Sequence, residues 1–197
     1  MLELLDQTDK AIFLFLNGLH QSWLDRPMQI ITSTSAWIPL YILITIFLFW
    51  KFKKQAVLVL IAVGISITAA DQFTSSFMKP TFQRPRPCYD EQIGTKVYNY
   101  VGCGGQYGFA SSHAANTFAL AMLCWLIGRN LPEKKKIGIF MFAWASLVSY
   151  SRIYVGVHYL GDIAVGALVG VCIAYLVFKL FQILKLRPFL TKKITFF

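Results

Sequence analysis

Charged residues are scarce in this chain, and acidic residues are the scarcest of them. Only 14% of the 197 residues are charged, with nine Asp and Glu against 19 Lys and Arg. Soluble domains usually carry about 25% charged residues, so this chain has too few to cover a water-facing surface. Hydrophobic residues instead make up 56% of it. We therefore expect an all-α, polytopic transmembrane helical bundle that forms a single domain over residues 1–197.

A single basic face is also missing, although the net charge is +10. Lys and Arg fall in short clusters between apolar runs, which is typical of membrane topology and not of nucleic acid binding. The N-terminal stretch MLELLDQTDK is acidic where a signal peptide would be basic. We therefore expect no nucleic acid partner and no cleaved targeting segment.

Five apolar stretches are candidates for membrane-spanning helices. Each is near the ~20 residues that cross ~30 Å of hydrocarbon, and the third and fourth are short. They cover residues 35–50, 55–78, 112–128, 137–153 and 159–181, and the preceding QIITST can extend the first. Between the second and third, a loop rich in Pro and Gly is predicted over residues 79–110.

The N-terminal segment has a different pattern. Residues 6–26 alternate apolar clusters with polar residues, and their apolar run AIFLFL is too short to cross a bilayer. We favour an interfacial amphipathic helix in a segment of about residues 1–30, and an additional transmembrane helix is the alternative. The bundle therefore has five to six membrane-embedded helices.

The basic residues also predict the orientation. KFKK, RNLPEKKK and the tail after Phe178 hold twelve of the nineteen Lys and Arg, and with five spans all three lie on one side. The positive-inside rule makes that side cytoplasmic. The N-terminal segment, the 79–110 loop and the turn at 153–158 then share the extracytoplasmic side.

The first polar segment on that outer side is KPTFQRPRP, residues 79–87. Prolines stiffen the chain around Lys79, Arg84 and Arg86, so less entropy is lost when the cations are fixed around an anion. The segment predicts an anion clamp. The alternative is a basic juxtamembrane stretch that touches lipid headgroups.

The second polar segment is GFASSHAANTFALA, residues 108–121, where Ser111, Ser112 and His113 stand at the start of a span. The free N–H groups and positive dipole of a helix N-terminus favour a phosphate. Simple helix capping by a serine is the alternative interpretation.

The third polar segment is YSRIYVGVHYLGD, residues 150–162. His158 and Asp162 are four residues apart and share one helix face, so the carboxylate can hold one imidazole nitrogen protonated and leave the other free to attack. Arg152 ends the preceding span, and Gly156 lies in the turn between them. A structural ion pair between two helices is the alternative.

Together these segments resemble the type 2 phosphatidic acid phosphatase superfamily, in its bacterial integral-membrane lipid phosphatase branch. The family signature is K-x6-RP, then PSGH, then SR-x5-H-x3-D, and the same order and spacing occur here. The first and third motifs match fully. In the second, Ala110 and Ser112 replace Pro and Gly, while Ser111 and His113 keep their register.

The resemblance implies a role for each motif residue. His158 would be the nucleophile that forms a phosphohistidine, Asp162 would orient it, and His113 would act as general acid and then base. The implied phosphate-binding residues are Lys79, Arg86, Ser111, Ser112 and Arg152. No cluster of carboxylates faces this site, so we expect no metal and no cofactor.

Several other polar residues are given lesser roles. Asp71 is expected to be structural, Arg84 to touch a lipid headgroup, and His20 to have no chemical role. Cys88 and Cys103 lie in the outer loop, where a disulfide is plausible in an oxidising periplasm.

A site at the outer ends of apolar helices suits a lipid phosphate as substrate. We expect the protein to lie in the bacterial inner membrane, with the site on the periplasmic side. Undecaprenyl diphosphate ranks first, ahead of phosphatidic acid, phosphatidylglycerol phosphate and the 1-phosphate of lipid A. A non-catalytic anion-binding or anion-passing membrane protein is the alternative from another class, and the hydropathy argues against a vanadate-dependent peroxidase. The expected partners are the substrate and membrane lipids, and the oligomeric state is left open.

Overall fold

Helices form most of the protein in its structure, a computed structural model that describes residues 2–186. The main helices are α1 Leu2–Asn17, α2 Ser22–Thr32, α3 Ile38–Phe52, α4 Ala56–Gln72, α5 Ser112–Gly128, α6 Lys134–Tyr154 and α7 Leu160–Ile183. Short 3₁₀ turns occur at Thr34–Trp37, Lys53–Gln55, Pro87–Tyr89 and Gly94–Lys96. The all-helical prediction is confirmed.

Each of the five predicted apolar stretches corresponds to one helix, α3 to α7. By length and composition, three helical segments among the described residues can cross a membrane: Thr34–Phe82, α6 and α7. The first of these contains both α3 and α4, which are separated at Lys53, where φ is 49°. Helix α5 is a shorter apolar helix of 17 residues.

The predicted extension of the first span by QIITST is wrong. Residues 29–32 belong to α2, and Ser33 then adopts an extended conformation with φ −77° and ψ 126°. The chain enters α3 through the turn Thr34–Trp37, and Pro39 lies in the first turn of α3. Proline is tolerated there because its missing N–H would have no intrahelical acceptor.

The predicted start of the outer loop is also wrong. Helix α4 continues through a π-helical segment, Phe73–Met78, into a last helical turn, Lys79–Phe82. Pro80 lies in that turn, directly after the π-helical segment. Lys79 is therefore held on a helix and not on a loop.

The N-terminal segment forms two helices where a single interfacial helix was predicted. Asn17, which is 2% exposed, ends α1 and donates its side-chain amide to the carbonyl oxygens of Tyr98, Ile153 and Tyr154. These bonds tie α1 to the outer loop and to the end of α6. Asp25 of α2 likewise accepts hydrogen bonds from the hydroxyls of two of these residues, Tyr98 and Tyr154.

Helix α5 is the centre of the bundle and packs against α4, α6 and α7. Its contact with α7 is close because small residues face each other. Gly166 approaches the backbone of Ser111, and Gly170 approaches that of Ala115. Small residues let helices in a membrane approach closely, where packing replaces the hydrophobic effect.

Helix α3 lies at the periphery, and half of its large apolar side chains are exposed. Such a wide apolar surface is typical of a helix that faces lipid. The structure therefore supports a membrane-embedded bundle. The basic tail used in the orientation argument lies partly outside the described residues, beyond residue 186.

The outer loop is fixed at several points. Pro85 and Tyr107 form an antiparallel bridge, and Cys88 and Cys103 are joined by a disulfide with their Cα atoms 6.1 Å apart. Gly156, in the turn between α6 and α7, has φ of 79° and lies against the carbonyl of Tyr98. A side chain at this glycine would be strained as well as crowded.

Gly170→Ala should destabilise the bundle by about 1–3 kcal/mol, because its Cβ would lie 3.0 Å from Ala115 Cα and closer still to the Ala115 carbonyl. Thermal unfolding in detergent measures this. Gly64→Ala in α4 is the matched control, since its Cβ would meet nothing within 4 Å. Equal melting temperatures for the two variants would contradict the close α5–α7 packing.

Candidate active site

The first part of the site is the N-terminus of α5. The N–H groups of Ser112 and His113 have no acceptor within the described residues. Lys79 Nζ donates to Ser112 Oγ at 3.0 Å, and the hydroxyls of Thr74 and Ser75 lie 2.9 Å and 2.8 Å from the same oxygen. A cation, hydroxyls and free amides thus meet at a positive helix end, which favours an anion.

The second part is the turn that leads into α7. Asp162 is fully buried, and its Oδ2 lies 3.3 Å from His158 Nδ1 and accepts the N–H of Tyr159 at 3.0 Å. The bond from Tyr159 completes a capping box at the start of α7. The local helix cap therefore fixes the carboxylate that faces His158.

Burial lowers the pKa of His158 to about 4, and the bond to Asp162 opposes this shift in part. The imidazole is therefore neutral at pH 7, because its pKa lies below that pH. With Nδ1 facing a carboxylate, Nδ1 carries the proton and Nε2 keeps its lone pair. Neutral His158 is thus suited to act as a nucleophile.

The third part is a pair of arginines that contact neutral oxygens. Arg86 Nη1 donates to the carbonyl of Val157 at 3.3 Å, and Arg152 Nη1 donates to Thr32 Oγ1 at 2.6 Å. Within residues 2–186 neither guanidinium forms an ion pair, and the Nε of each is buried without an acceptor. Partly buried cations without a carboxylate partner form a site that an anion would stabilise.

These three parts meet around Gly108 and His113. A Cβ at Gly108 would lie 3.0 Å from Asp162 Oδ2, 3.3 Å from Arg86 Cγ and 3.5 Å from His158 Nδ1. His113 lies close enough to Lys79, Arg86, Arg152 and His158 to interact electrostatically with them. It also lines a cavity of about 200 Å³ that opens between the apolar helices.

Comparison with known proteins identifies the family of this chain. The model of the PAP2 superfamily matches residues 55–185, about two thirds of the chain. The chain belongs to the PAP2 superfamily. It is a membrane lipid phosphatase of that family, and the family predicted from the three motifs is confirmed.

Two relatives and one solved structure illustrate the similarity. A lipid A 4'-phosphatase of Bacteroides thetaiotaomicron is 39% identical over 173 residues, 86% of this chain and 75% of that one. Undecaprenyl-diphosphatase BcrC of Bacillus subtilis is 30% identical and covers 90% of this chain and 86% of that one. The crystal structure of a transmembrane PAP2 type phosphatidylglycerolphosphate phosphatase from Bacillus subtilis superposes with a TM-score of 0.69 at 25% identity, over 93% of this chain and 88% of that one.

One residue of this PAP2 domain has a different environment from the one predicted. Arg84 was expected to contact a lipid headgroup, but it forms ion pairs with Asp6, Asp9 and Asp162. Burial alone would lower the pKa of Arg84, but these three carboxylates raise it. Arg84 is therefore committed to the interior of the protein.

Ser111 takes the capping position that the sequence left as an alternative. It is fully buried, its Oγ accepts the N–H of Ala114, and its own N–H donates to the carbonyl of Asp162. A direct bond from Ser111 to phosphate stays a prediction. Ser112, in contrast, lies beside Lys79.

The remaining polar residues lie outside this candidate site. Asp71 accepts a hydrogen bond from Asn116 of α5 at 3.1 Å, in keeping with a structural role. His20 stacks on Tyr98 with their ring centroids 3.7 Å apart. In the part of the chain that the structure covers, no three His, Cys, Asp or Glu form a group that could hold a metal.

Sequence reasoning missed several residues that build the site. Gly108 makes room for His158 and Asp162, Thr32 contacts Arg152, and Asp9 contacts Arg84. The hydroxyls at Thr74 and Ser75 gave a signal, because polar groups in an apolar span need partners. For Asp9 and Thr32 the sequence holds no comparable signal, since their partners are 75 and 120 residues away.

Gly108→Ala should lower kcat at least tenfold, because the new methyl group would push apart Asp162, Arg86 and His158 and misplace the reacting groups. Phosphate release in detergent measures this. Gly105→Ala is the matched control in the same loop, since its Cβ would meet nothing within 4 Å. Wild-type turnover in Gly108→Ala would show that this contact does not shape the site.

Proposed function

We propose that this PAP2 phosphatase cleaves its lipid phosphate through a phosphohistidine formed on His158. The observation that carries the proposal is a carboxylate-oriented histidine beside two partly buried guanidinium groups without carboxylate partners. A phosphoryl group there would meet a nucleophile and cations together. The phosphate would be the negatively charged partner that Arg86 and Arg152 do not have within the protein.

The chemistry proceeds in two steps. His158 Nε2 attacks phosphorus, the P–N bond forms, and the P–O bond to the lipid breaks as His113 gives a proton to the leaving oxygen. Asp162 stabilises the imidazolium that forms. In the second step His113 takes a proton from water, the oxygen of that water attacks phosphorus, and the P–N bond breaks.

The charge on the phosphoryl oxygens is held by groups that are fixed before the substrate arrives. Lys79, Arg86 and Arg152 provide three cations, and the N–H groups at the start of α5 provide uncharged donors. Because the protein already holds these groups in place, little reorganisation accompanies the reaction. The negative phosphate also favours the protonated form of His113 that the first step needs.

Apolar cavities beneath the site support a lipid substrate. The 200 Å³ cavity at His113 shares Tyr41, Ile67 and Leu120 with a cavity of about 130 Å³. That one shares lining residues with a third cavity of about 320 Å³ between α3, α4, α5 and α6. Together they provide an apolar path along α3 for the tails of a substrate whose phosphate lies at His113.

For the substrate we propose the 4'-phosphate of a lipid A-type glycolipid. The 39% identity to a lipid A 4'-phosphatase supports it. A polar pocket of about 520 Å³ next to the site also fits a sugar headgroup, because amide, hydroxyl and guanidinium groups line it. Thr32 lines both this pocket and the cavity at His113.

Undecaprenyl diphosphate, ranked first from the sequence, is the second candidate. The 30% identity to undecaprenyl-diphosphatase BcrC favours it. Either substrate would be met on the periplasmic side of the bacterial inner membrane, which the positions of the basic clusters support.

The His158→Ala variant should form no phosphoenzyme, whereas the wild type should give one that is acid-labile. His113→Ala should accumulate the phosphoenzyme from an aryl phosphate, whose leaving group needs no proton, because water activation is lost. Labelling with ³²P and an alkaline quench, which preserves a phosphohistidine, measures both, and acid treatment of the labelled protein then tests its lability. His20→Ala, away from the site, is the histidine control and should behave as the wild type.

Three results would contradict this mechanism. They are phosphoenzyme on His158→Ala, rapid phosphoenzyme turnover in His113→Ala, and turnover that is lost with a chelator and restored by magnesium. A non-catalytic anion binder would instead retain phosphate binding in His158→Ala and release no product from the wild type.

A panel of detergent-solubilised lipids should separate the two substrate candidates. We expect kcat/KM for lipid A to exceed that for undecaprenyl diphosphate by at least tenfold, and Gln29→Leu, in the polar pocket, to lower the lipid A value alone. Inorganic phosphate release and mass spectrometry of the product lipid measure this. The reverse preference would favour the isoprenoid diphosphate and exclude lipid A as the preferred substrate.

A further inference from the structure

Arg84 lies at the centre of a carboxylate cluster that connects α1 to the catalytic pair. Its Nη1 donates to Asp9 Oδ2 at 2.9 Å and to Asp162 Oδ1 at 3.0 Å, and its Nη2 donates to Asp6 Oδ1 at 3.0 Å. The Arg84 and Asp9 side chains are mostly buried, and Asp162 is fully buried. Ion pairs with this little solvent are screened far less than surface pairs.

Asp9 also contacts the first turn of α7 directly. Its Oδ1 accepts the N–H of Gly161 at 2.9 Å, next to Asp162 in the sequence. A Cβ at Gly161 would lie 2.6 Å from Asp9 Oδ2, so the carboxylate can approach this closely because residue 161 is glycine. A carboxylate at a helix N-terminus also interacts favourably with the helix dipole.

The environment of Arg84 differs from that of the arginines proposed to bind phosphate. Arg86 and Arg152 contact neutral oxygens, whereas three carboxylates surround Arg84. Its guanidinium also lies 4.0 Å from the ring centroid of Tyr159, which limits its movement. The charge of Arg84 is thus already neutralised, and its donors are oriented towards Asp162.

We infer that Arg84 and Asp9 are positioning residues, through which helix α1 holds the Asp162 carboxylate in the orientation that His158 requires. This inference rests on the proposed role of His158 as nucleophile. With Oδ1 held by Arg84, the other oxygen of Asp162 is directed at His158 Nδ1. The same ion pair gives the buried carboxylate a charged partner and holds it where it can stabilise the imidazolium of the phosphohistidine step.

The assignment gives the N-terminal segment a function in catalysis. Helix α1 is positioned by Asn17 and by Phe13, which is fully buried against Tyr159 with ring centroids 5.4 Å apart. Asp9 therefore reaches Arg84 from a helix that is itself fixed. Loss of Arg84 or Asp9 should allow the Asp162 carboxylate to rotate, although the groups proposed to bind phosphate remain in place.

The test compares Arg84→Gln, Arg84→Lys and Asp9→Asn with the wild type, using phosphate release from the best lipid of the substrate panel. Arg84→Gln should lower kcat roughly 10- to 100-fold, by analogy with the partners that orient metal-ligating histidines, with KM within threefold. Arg84→Lys should restore part of kcat, because one ammonium can pair with Asp162 but cannot span all three carboxylates.

A double-mutant cycle with Asp162→Asn separates positioning from simple destabilisation. If Arg84 acts through Asp162, Arg84→Gln should lower kcat less than threefold further in the Asp162→Asn background. Lys10→Gln is the matched control on α1. It removes ion pairs of 2.9 Å to Asp6 and Asp90 without reaching Asp162, so it should lower the melting temperature and leave kcat unchanged.

The inference is overturned by unchanged kcat in Arg84→Gln, by a fully additive loss in the Asp162→Asn background, or by a KM increase above tenfold at constant kcat. The last result would make Arg84 a substrate ligand. His158→Ala in the same assay separates the two proposals. If His158→Ala remains active, the proposed mechanism fails, whereas an inactive His158→Ala beside a fully active Arg84→Gln rejects the positioning role alone.

Discussion

The buried carboxylate of Asp162 is the group on which the rest of the site depends. Its two oxygens serve His158, the N–H of Tyr159 and Arg84, and its backbone carbonyl accepts the N–H of Ser111. A buried carboxylate without partners would cost several kcal/mol. Because the partners come from all three polar segments, satisfying this one residue brings the outer loop, the start of α5 and the start of α7 together.

The packing of the helices also brings the parts of the site together. Helices α5 and α7 approach closely through Gly166, Gly170 and the small residues of α5, so that their N-terminal ends lie side by side at the site. These ends provide the free amides of α5 and the capping box of α7. Close packing in the apolar part of the bundle therefore sets the distance between the N-terminus of α5 and His158.

The three arginines around the site differ in their electrostatic environment. Arg84 is surrounded by carboxylates and holds the structure, whereas Arg86 and Arg152 contact neutral oxygens and keep their charge for an anion. All three are similar in the sequence, since each is an arginine near a membrane surface. What separates them is the number of carboxylates within reach in the fold, because an ion pair already formed leaves little charge for a substrate.

The sequence by itself determined the helical membrane fold, the five apolar stretches and the motif residues, since hydropathy and spacing along one chain are local properties. It did not show that Lys79 stands on a helix, that α1 and α2 are separate, or that Asp9 reaches Arg84. Only the tertiary structure decided these, because they depend on contacts between residues far apart in the chain. A charge that becomes buried needs a partner, and the local sequence around it does not show which distant residue will be that partner.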